Sequence, residues 1–501
     1  MELITNLILG FSVAFSPSNL LMCLAGVFLG TMIGVLPGIG PVPTIAMLLP
    51  LTFYLSPVAS LIMLAGIYYG AQYGGSTTAI LINLPGESSS VITCIEGYQM
   101  TRQGRAGPAL AMAALGSFFA GCVSTLVVAS AAMPLTKVAL KFGAAEYCSL
   151  MVLGLVSAVV LAHGTLLKAI SMVLLGLLLG LVGTDVNSGV MRYTFGISEL
   201  TDGIDFVTLA MGTFGLSEII LNLEHRGVTR EVFVRKIGKL WPSKEDWERF
   251  WPPVLRGTAL GSALGILPGG GALLGSFASY TLEKKVSKYK HEFGKGALEG
   301  LVGPESANNA GAQTSFIPML TLGIPSNVVM AMMLGAMMIH GITPGPQVII
   351  QNPQLVWGMI TSMWIGNLLL IVLNLPLIGI WIKLLTVPYR ILYPSILVFM
   401  CIGVYSLSKS PFDLVMMALF GLLGYICAKL DCEPAPLVLG FILGPMMEEN
   451  LRRALLLSHG DPLVFFQSPI SATFIVISSV LLVITLLPAI RKKRIATFKK
   501  E

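Results

Sequence analysis

Residues 34–41 read GVLPGIGP, and they lie in a stretch with no charged residue between Leu3 and Leu81. Proline lacks the amide hydrogen that a helix needs, and glycine has no side chain to pack. This segment should therefore interrupt a helix at a depth where lipid cannot satisfy exposed backbone groups. Residues 265–272 read GILPGGGA, so the chain makes the same interruption twice.

The composition places most of the chain in lipid. It has 501 residues, of which 55% are hydrophobic and only 11% charged, with a mean hydropathy of +0.83. Soluble domains carry roughly a quarter charged residues. Runs without Asp, Glu, Lys or Arg, each long enough to cross hydrocarbon, occur at 106–136, 147–167, 355–382 and 466–490. The expected fold is an all-α polytopic membrane protein with about 10–12 transmembrane segments, and a β-barrel would instead show short alternating strands.

Two further features limit the chemistry. The seven cysteines form no CxxC pair, so we expect no disulfide, no metal site and no bound cofactor. The first residues have no basic region before the apolar run, which predicts no removable signal peptide.

The chain contains an internal repeat with an offset of 231 residues (265 − 34). Residues 26–40 (GVFLGTMIGVLPGIG) and 257–271 (GTALGSALGILPGGG) are identical at eight of fifteen positions, including three glycines spaced four apart. A second block, YGAQYGGSTTAILINLPGESSS at 69–90, resembles AGAQTSFIPMLTLGIPSNVV at 310–329. We predict a first repeat at 1–225, a cytoplasmic linker at 226–254, a second repeat at 255–470, and an extra span with a basic cytoplasmic tail at 471–501.

The loop charges indicate that the two repeats are inverted. Residues 283–296 (EKKVSKYKHEFGKG) carry five lysines, whereas the corresponding stretch 51–60 carries no cation. After the second block the pattern reverses, because Arg102 and Arg105 follow it in the first half and residues 341–354 contain no Lys or Arg. Basic loops stay in the cytoplasm, so corresponding loops should lie on opposite sides of the membrane.

In this topology the first block of each half is a re-entrant hairpin with its interruption at the tip. The second block is a broken helix that crosses the membrane. The remaining crossings are predicted at 108–134, 147–162, 165–183, 204–222, 355–382, 391–407, 411–428, 436–450 and 470–490. The C-terminus then lies in the cytoplasm.

The interruptions predict a binding site near the midplane of the bilayer. Irregular backbone survives at that depth only where protein or a water-filled cavity covers it. Helix N-termini there attract anions, and unwound carbonyls attract cations. The neutral hydroxyl and amide groups that accompany the second block suit a carboxylate, and the predicted substrate-binding residues are Asn83, Pro85, Gly86, Ser88, Ser89, Ser90, Asn308, Gln313, Pro325, Ser326 and Asn327. The predicted ion-binding residues are Pro37, Gly38, Gly40, Pro268, Gly269 and Gly271.

Other features have plainer interpretations. The glycine ladders at 26–34 and 257–265 favour close helix packing. We interpret Glu87 and Glu305 as helix caps or as charges near the water rather than as proton carriers. The sequence contains no GxSG, GxGD, HExxH or Walker A motif, so we expect no enzyme activity.

Four long motifs resemble the large membrane subunit of the tripartite tricarboxylate transporters. They are GVLPGIGPVPTIAMLLPLTF (34–53), YYGAQYGGSTTAILINLPGE (68–87), GILPGGGALLGSFASY (265–280) and GPESANNAGAQTSFIPMLTLGIPS (303–326). The resemblance covers about residues 1–490. It implies that the glycine-proline motifs of the family correspond to Pro37, Gly38, Gly40, Pro85, Gly86, Pro268, Gly269, Gly271 and Pro325.

The resemblance implies a multi-pass permease of the bacterial inner membrane. Its implied partners are a small four-helix membrane subunit, a periplasmic solute-binding protein, a small organic carboxylate and the lipid bilayer, with no nucleic acid. Tricarboxylates or related acids would be imported with a sodium or proton gradient. The alternative is a stand-alone cation/proton antiporter, or an ion-coupled anion carrier that needs no binding protein.

Overall fold

The protein is a bundle of α-helices in a computed structural model that describes residues 2–36, 40–162, 165–185, 187–224, 239–267, 271–385 and 389–486. The helices of the first half are α1 (Glu2–Ala14), α2 (Pro17–Val35), α3 (Pro41–Thr52), α4 (Pro57–Ile82), α5 (Val91–Arg102), α6 (Ala106–Ala139), α7 (Ala144–Leu161), α8 (Leu166–Gly180), α9 (Phe206–Ala210) and α10 (Ser217–Glu224). A π-helical turn, Met211–Leu216, joins α9 to α10, and the two-residue strands β1 (Gly183–Thr184) and β2 (Met191–Arg192) pair antiparallel in the preceding loop.

The rest of the described chain is also helical. Its helices are α11 (Lys244–Gly265), α12 (Gly271–Val286), α13 (Leu298–Thr314), α14 (Phe316–Leu322), α15 (Val328–Ile339), α16 (Gln347–Gln351), α17 (Pro353–Asn374), α18 (Ile378–Leu384), α19 (Tyr389–Ser408), α20 (Pro411–Lys429), α21 (Ala435–Leu457), α22 (Val464–Gln467) and α23 (Pro469–Leu486). Short 3₁₀ turns lie at Ser88–Ser90, Ser198–Leu200 and Lys290–Glu292.

The expected fold class is confirmed. In the part of the chain that the structure describes, the helical stretches long and apolar enough to cross a membrane are Pro17–Val35, Ala106–Ala139, Phe206–Glu224, Pro353–Asn374 and Pro411–Lys429. The other predicted crossings coincide with helices too, including the span at 436–450, which lies inside α21. The inversion of the repeats and the side on which each loop lies stay predictions.

Helix starts follow local chemistry. Ser56 caps α4, because its hydroxyl accepts a hydrogen bond from the amide of Ala59 (3.3 Å), and Pro57 occupies the first helical position, where a missing amide costs nothing. At α20, Ser410 and Pro411 repeat this arrangement.

The glycine ladders lie where α2 meets α4 and where α11 meets α13. A Cβ atom added to Gly30 would lie 2.4 Å from the carbonyl oxygen of Ile67, and one added to Gly261 would lie 2.1 Å from that of Ala307. Both distances are far below van der Waals contact, so only glycine permits this approach. The predicted packing role of the ladders is confirmed.

The middle of the molecule is formed by α4 and α13, which are buried on all faces. Residues 59–81 of α4 and 298–314 of α13 are buried without a break. A helix covered on every side has no lipid-facing stripe, so it can carry polar residues that neighbouring helices satisfy.

Candidate functional site

The first helix break lies between α4 and α5. Asn83 ends α4 in the left-handed conformation, with φ of 58°. Pro85 follows and cannot continue a helix. The chain restarts at the 3₁₀ turn 88–90, where the Glu87 amide donates to Ser90 Oγ (3.3 Å) and that hydroxyl donates to the Glu87 carbonyl (2.9 Å).

Gly86 allows this break to contact two other helices. A Cβ atom at this position would lie 2.1 Å from the carbonyl oxygen of Gly34 in α2 and 2.5 Å from the Cα of Gly75 in α4. The break is therefore held against the end of α2 by backbone contact.

The second break lies between α14 and α15 and has the same form. Gly323 takes the left-handed conformation (φ 71°), and Pro325 follows it. Asn327 then caps α15, with its Oδ1 accepting from the amide of Met330 (2.9 Å). Ser326 is buried and donates to a carbonyl at the end of α13 (3.0 Å).

A cavity of about 430 Å³ lies where the two breaks approach the starts of α3 and α12. Its lining residues from these elements are Gly40, Pro41, Val42, Pro43, Glu87, Ser88, Ser89, Ala272, Leu273, Asn327, Val328 and Val329. Tyr68 and Gln72 of α4 complete this wall, and the opposite wall comes from α7, α21 and the segment 214–218. The starts of α3, α12, α15 and α21, together with the 3₁₀ turn before α5, thus surround one space.

Hydrogen bonds tie the polar lining together. The Nδ2 of Asn327 donates to the hydroxyl of Tyr68 (3.2 Å). Ser89 Oγ donates to Gln72 Oε1 (3.0 Å) and also bonds the carboxylate of Glu87. These contacts hold the groups on the cavity wall in fixed orientations.

The charges that the described residues contribute to the cavity wall are all acidic. The lining includes Glu87, Glu218 and Glu433, and no Lys or Arg occurs among the lining residues that the structure describes. Among the same described residues, Glu87 has no ion-pair partner within 4 Å. An anion in this cavity would meet helix N-termini and hydroxyls together with carboxylates, so a counter-cation would assist its binding.

The structure brings together some of the predicted site residues. Ser88, Ser89 and Asn327 line the cavity, and so does Gly40. Asn308 lies behind this wall, where its Nδ2 donates to Glu87 Oε1 (3.4 Å).

The other predicted residues lie elsewhere. Asn83, Pro85, Gly86, Ser90, Pro325 and Ser326 form the helix breaks themselves. Gln313 is buried in α13 with its Oε1 unpartnered, and Gly271 packs on Gly265 of α11. Pro37, Gly38, Pro268 and Gly269 fall outside the described residues.

Glu305 lies in a different environment from the one we expected. It is fully buried in α13, with 0% of its surface exposed, and is not near water. Ser76 of α4 donates to its Oε2 (2.5 Å), and Thr93 of α5 donates to its Oε1. The expectation failed because a single sequence does not show how deeply a residue lies in a bundle.

Sequence reasoning missed several lining residues. Gln72 belongs to the triad Gly-Ala-Gln that recurs at 311–313, so the repeat itself could have identified it. Tyr68, Glu218 and Glu433 carry no such signal, because their shared position results from the packing of distant helices.

The fold and this cavity define a multi-pass α-helical membrane protein whose polar centre is formed by interrupted helices. Residues 20–439 match the family model described as the "Tripartite tricarboxylate transporter TctA family". The chain belongs to this family of membrane transporter components.

Two relatives come from Agrobacterium vitis. One, described as "Uncharacterized 52.8 kDa protein in TAR-I ttuC' 3'region", is 61% identical over 501 residues, which is all of both chains. The other, described as "Uncharacterized protein in TAR-II ttuC' 3'region", is 57% identical over 241 residues, 48% of this chain and all of its own. No solved structure matches significantly.

Proposed function

We propose that the chain is the large transmembrane subunit of a binding-protein-dependent secondary transporter. It imports tricarboxylates or related organic carboxylates with a sodium or proton gradient. The observation that supports this most is the convergence of four α-helix starts and one 3₁₀ turn on one cavity of about 430 Å³. Helix N-termini carry partial positive charge and free amide groups, which bind anions without a fixed cation.

The polar groups at the cavity suit a carboxylate that must be released again. Ser88, Ser89 and Asn327 supply neutral donors at the two breaks. Neutral donors bind a carboxylate less tightly than a bidentate arginine would. The backbone around Gly40 and Gly271 is proposed to contribute to the cation sites.

The proposed partners follow from the tripartite family. They are a small four-helix membrane subunit and a periplasmic solute-binding protein that delivers the acid. The proposed location is the bacterial inner membrane, with the C-terminus in the cytoplasm because residues 491–501 (RKKRIATFKKE) are strongly basic.

A second candidate is a stand-alone cation/proton antiporter or an ion-coupled anion carrier. The three carboxylates on the cavity wall favour it, because they suit a cation at least as well as an anion.

The test is transport by the purified chain in proteoliposomes, with and without the products of neighbouring genes that encode a small membrane protein and a binding protein. Radiolabelled citrate is the first probe, and succinate and aromatic acids compete with it. We expect uptake only with the binding protein and an ion gradient. Gradient-driven cation exchange by the chain alone, with no carboxylate uptake in any combination, would support the second candidate.

A matched pair of variants tests the site. Ser89→Ala combined with Asn327→Ala removes a hydroxyl and an amide from the cavity wall, and it should abolish uptake at wild-type abundance in the membrane. Ser130→Ala is the control, since that hydroxyl is exposed on α6 and donates only to the carbonyl of Val127 (3.0 Å). Wild-type uptake by the double variant would refute the assignment.

A further inference from the structure

Glu305 is a carboxyl group in the middle of the bundle, and no cation in the described part of the chain pairs with it. It is 0% exposed, and its two oxygens accept hydrogen bonds from Ser76 and Thr93. Among the described residues it has no ion-pair partner within 4 Å. An ionised carboxylate in such surroundings costs several kcal/mol, and buried groups of this kind bind a proton or a cation instead.

Among the residues that the structure describes, the groups around Glu305 supply no positive charge. The titratable side chains within electrostatic reach are Tyr73 from α4, Cys94 from α5 and Glu87 from the turn before α5. Helix α11 also packs against α13, and its cations include Arg249 and Arg256, which pair with Glu292, Glu299 and Glu283. The nearest contacts from α6 are neutral, with Ser117 accepting from Asn309 (2.7 Å).

A chain of polar contacts connects Glu305 to the cavity. Asn308 lies three residues after it on the same side of α13 and donates to Glu87 at the cavity wall (3.4 Å). The Oδ1 of Asn308 is fully buried and has no hydrogen-bond partner. Ser76 bonds both Glu305 and the carbonyl of Gln72, whose side chain accepts from Ser89.

We propose that Glu305 carries the coupling proton of the transporter and that Glu87 relays it to and from the cavity. This inference rests on the proposed function. In the loading step the ionised carboxylate of Glu305 takes one proton from the outer solution, and in the unloading step it returns that proton to the cytoplasm. The protonated Glu87 would donate its O–H to the unpartnered Oδ1 of Asn308.

The coupling follows from charge. A carboxylate substrate in the cavity adds negative charge beside Glu87 and Glu305, so proton binding and substrate binding strengthen each other. By linkage, each raises the affinity of the other by the same factor. An empty and deprotonated transporter would hold uncompensated negative charge in its core, which disfavours that state.

The geometry at Glu305 favours a proton over a metal ion. A hard metal cation takes a shell of roughly six oxygen ligands. At Glu305, hydroxyls already occupy both carboxylate oxygens, whereas a proton needs only one of them.

The test compares Glu305→Gln with Ser306→Ala in the complete transporter in proteoliposomes. Ser306 is the next residue of α13, and its buried hydroxyl has no partner, which makes it a matched control. With citrate as probe, we expect Glu305→Gln to reduce accumulation driven by a pH gradient more than tenfold. Exchange of internal for external citrate without a gradient should stay within twofold of wild type, and Ser306→Ala should match wild type in both assays.

A second variant keeps the carboxyl group. Thr93→Val removes one donor that favours the ionised form, so it should shift the external pH of half-maximal uptake upward. Unchanged pH dependence in Thr93→Val, or full pH-driven accumulation by Glu305→Gln, would overturn the inference. So would wild-type accumulation that follows a sodium gradient at constant pH and ignores a pH gradient. If wild type transports no carboxylate at all, the proposed function has failed, and the inference fails with it.

Discussion

The glycine ladders make a quantitative prediction about packing. A Cβ atom at Gly30 would lie 2.4 Å from the carbonyl oxygen of Ile67, and ordinary contact begins at 3.4 Å, so α2 and α4 would have to separate by 1.0 Å (3.4 − 2.4). The obstructing atom is backbone in the middle of a buried helix, so it cannot rotate away. Gly30→Ala should therefore lose about 3 kcal/mol of unfolding free energy, the upper end of the range for overpacking a core. Alanine favours helix by up to about 1 kcal/mol, which leaves a net loss of about 2 kcal/mol.

The corresponding change in the second half is Gly261→Ala, where the Cβ would lie 2.1 Å from the carbonyl of Ala307. It should cost at least as much, because the overlap is larger. Gly379→Ala is the control, since no atom lies within 4 Å of its added Cβ. Thermal unfolding in detergent measures all three. Wild-type stability of Gly30→Ala, or an equal loss in Gly379→Ala, would refute the reasoning.

Three further predictions concern other parts of the molecule. Glu96→Gln replaces a carboxylate that accepts three backbone N–H bonds from the segment 294–297. The variant should lose about 1–3 kcal/mol of unfolding free energy, and trypsin should cleave it faster at 284–295. An unchanged cleavage rate would contradict this prediction. The Ser188 hydroxyl, together with Arg452, lowers the pKa of Asp185 to about 2. Thermal stability should therefore fall as the pH drops below about 4, and it should fall less in Asp185→Asn. Parallel pH profiles for the two proteins would contradict this prediction. Ser88→Ala should raise the KM for uptake about fivefold through loss of one hydrogen bond, and an unaltered KM would exclude that contact.

Much of this architecture could be predicted from local patterns. Uncharged runs located the long helices, because a bilayer imposes a length on every apolar segment. The paired LPG and GIP motifs located the helix breaks, because proline cannot donate and glycine or asparagine accepts the left-handed conformation. Asn83 and Gly323 both take that conformation, so the two halves break in the same way despite different residues.

How deeply a residue is buried, and which residues surround it, could not be predicted in this way. The sequence alone suggests that Glu305 is a helix cap or a charge near the water, yet it is fully buried in α13 and its carboxylate accepts hydrogen bonds from α4 and α5. Ser326 looked like a ligand because it follows a break, yet it bonds a carbonyl of α13. Glu218 and Glu433 entered the cavity wall from segments with no repeat signal.

Short stretches of the sequence thus determined the membrane class, the helix positions, the family and the two interruptions, because each depends on a few adjacent residues. Tertiary packing alone decided that helix starts from both halves surround one cavity and that Glu305 lies behind it without a cation. The reason is that such a site brings together residues more than two hundred positions apart in the chain, as Ser76 and Glu305 do with a sequence separation of 229. A short sequence pattern cannot predict contacts between residues so far apart.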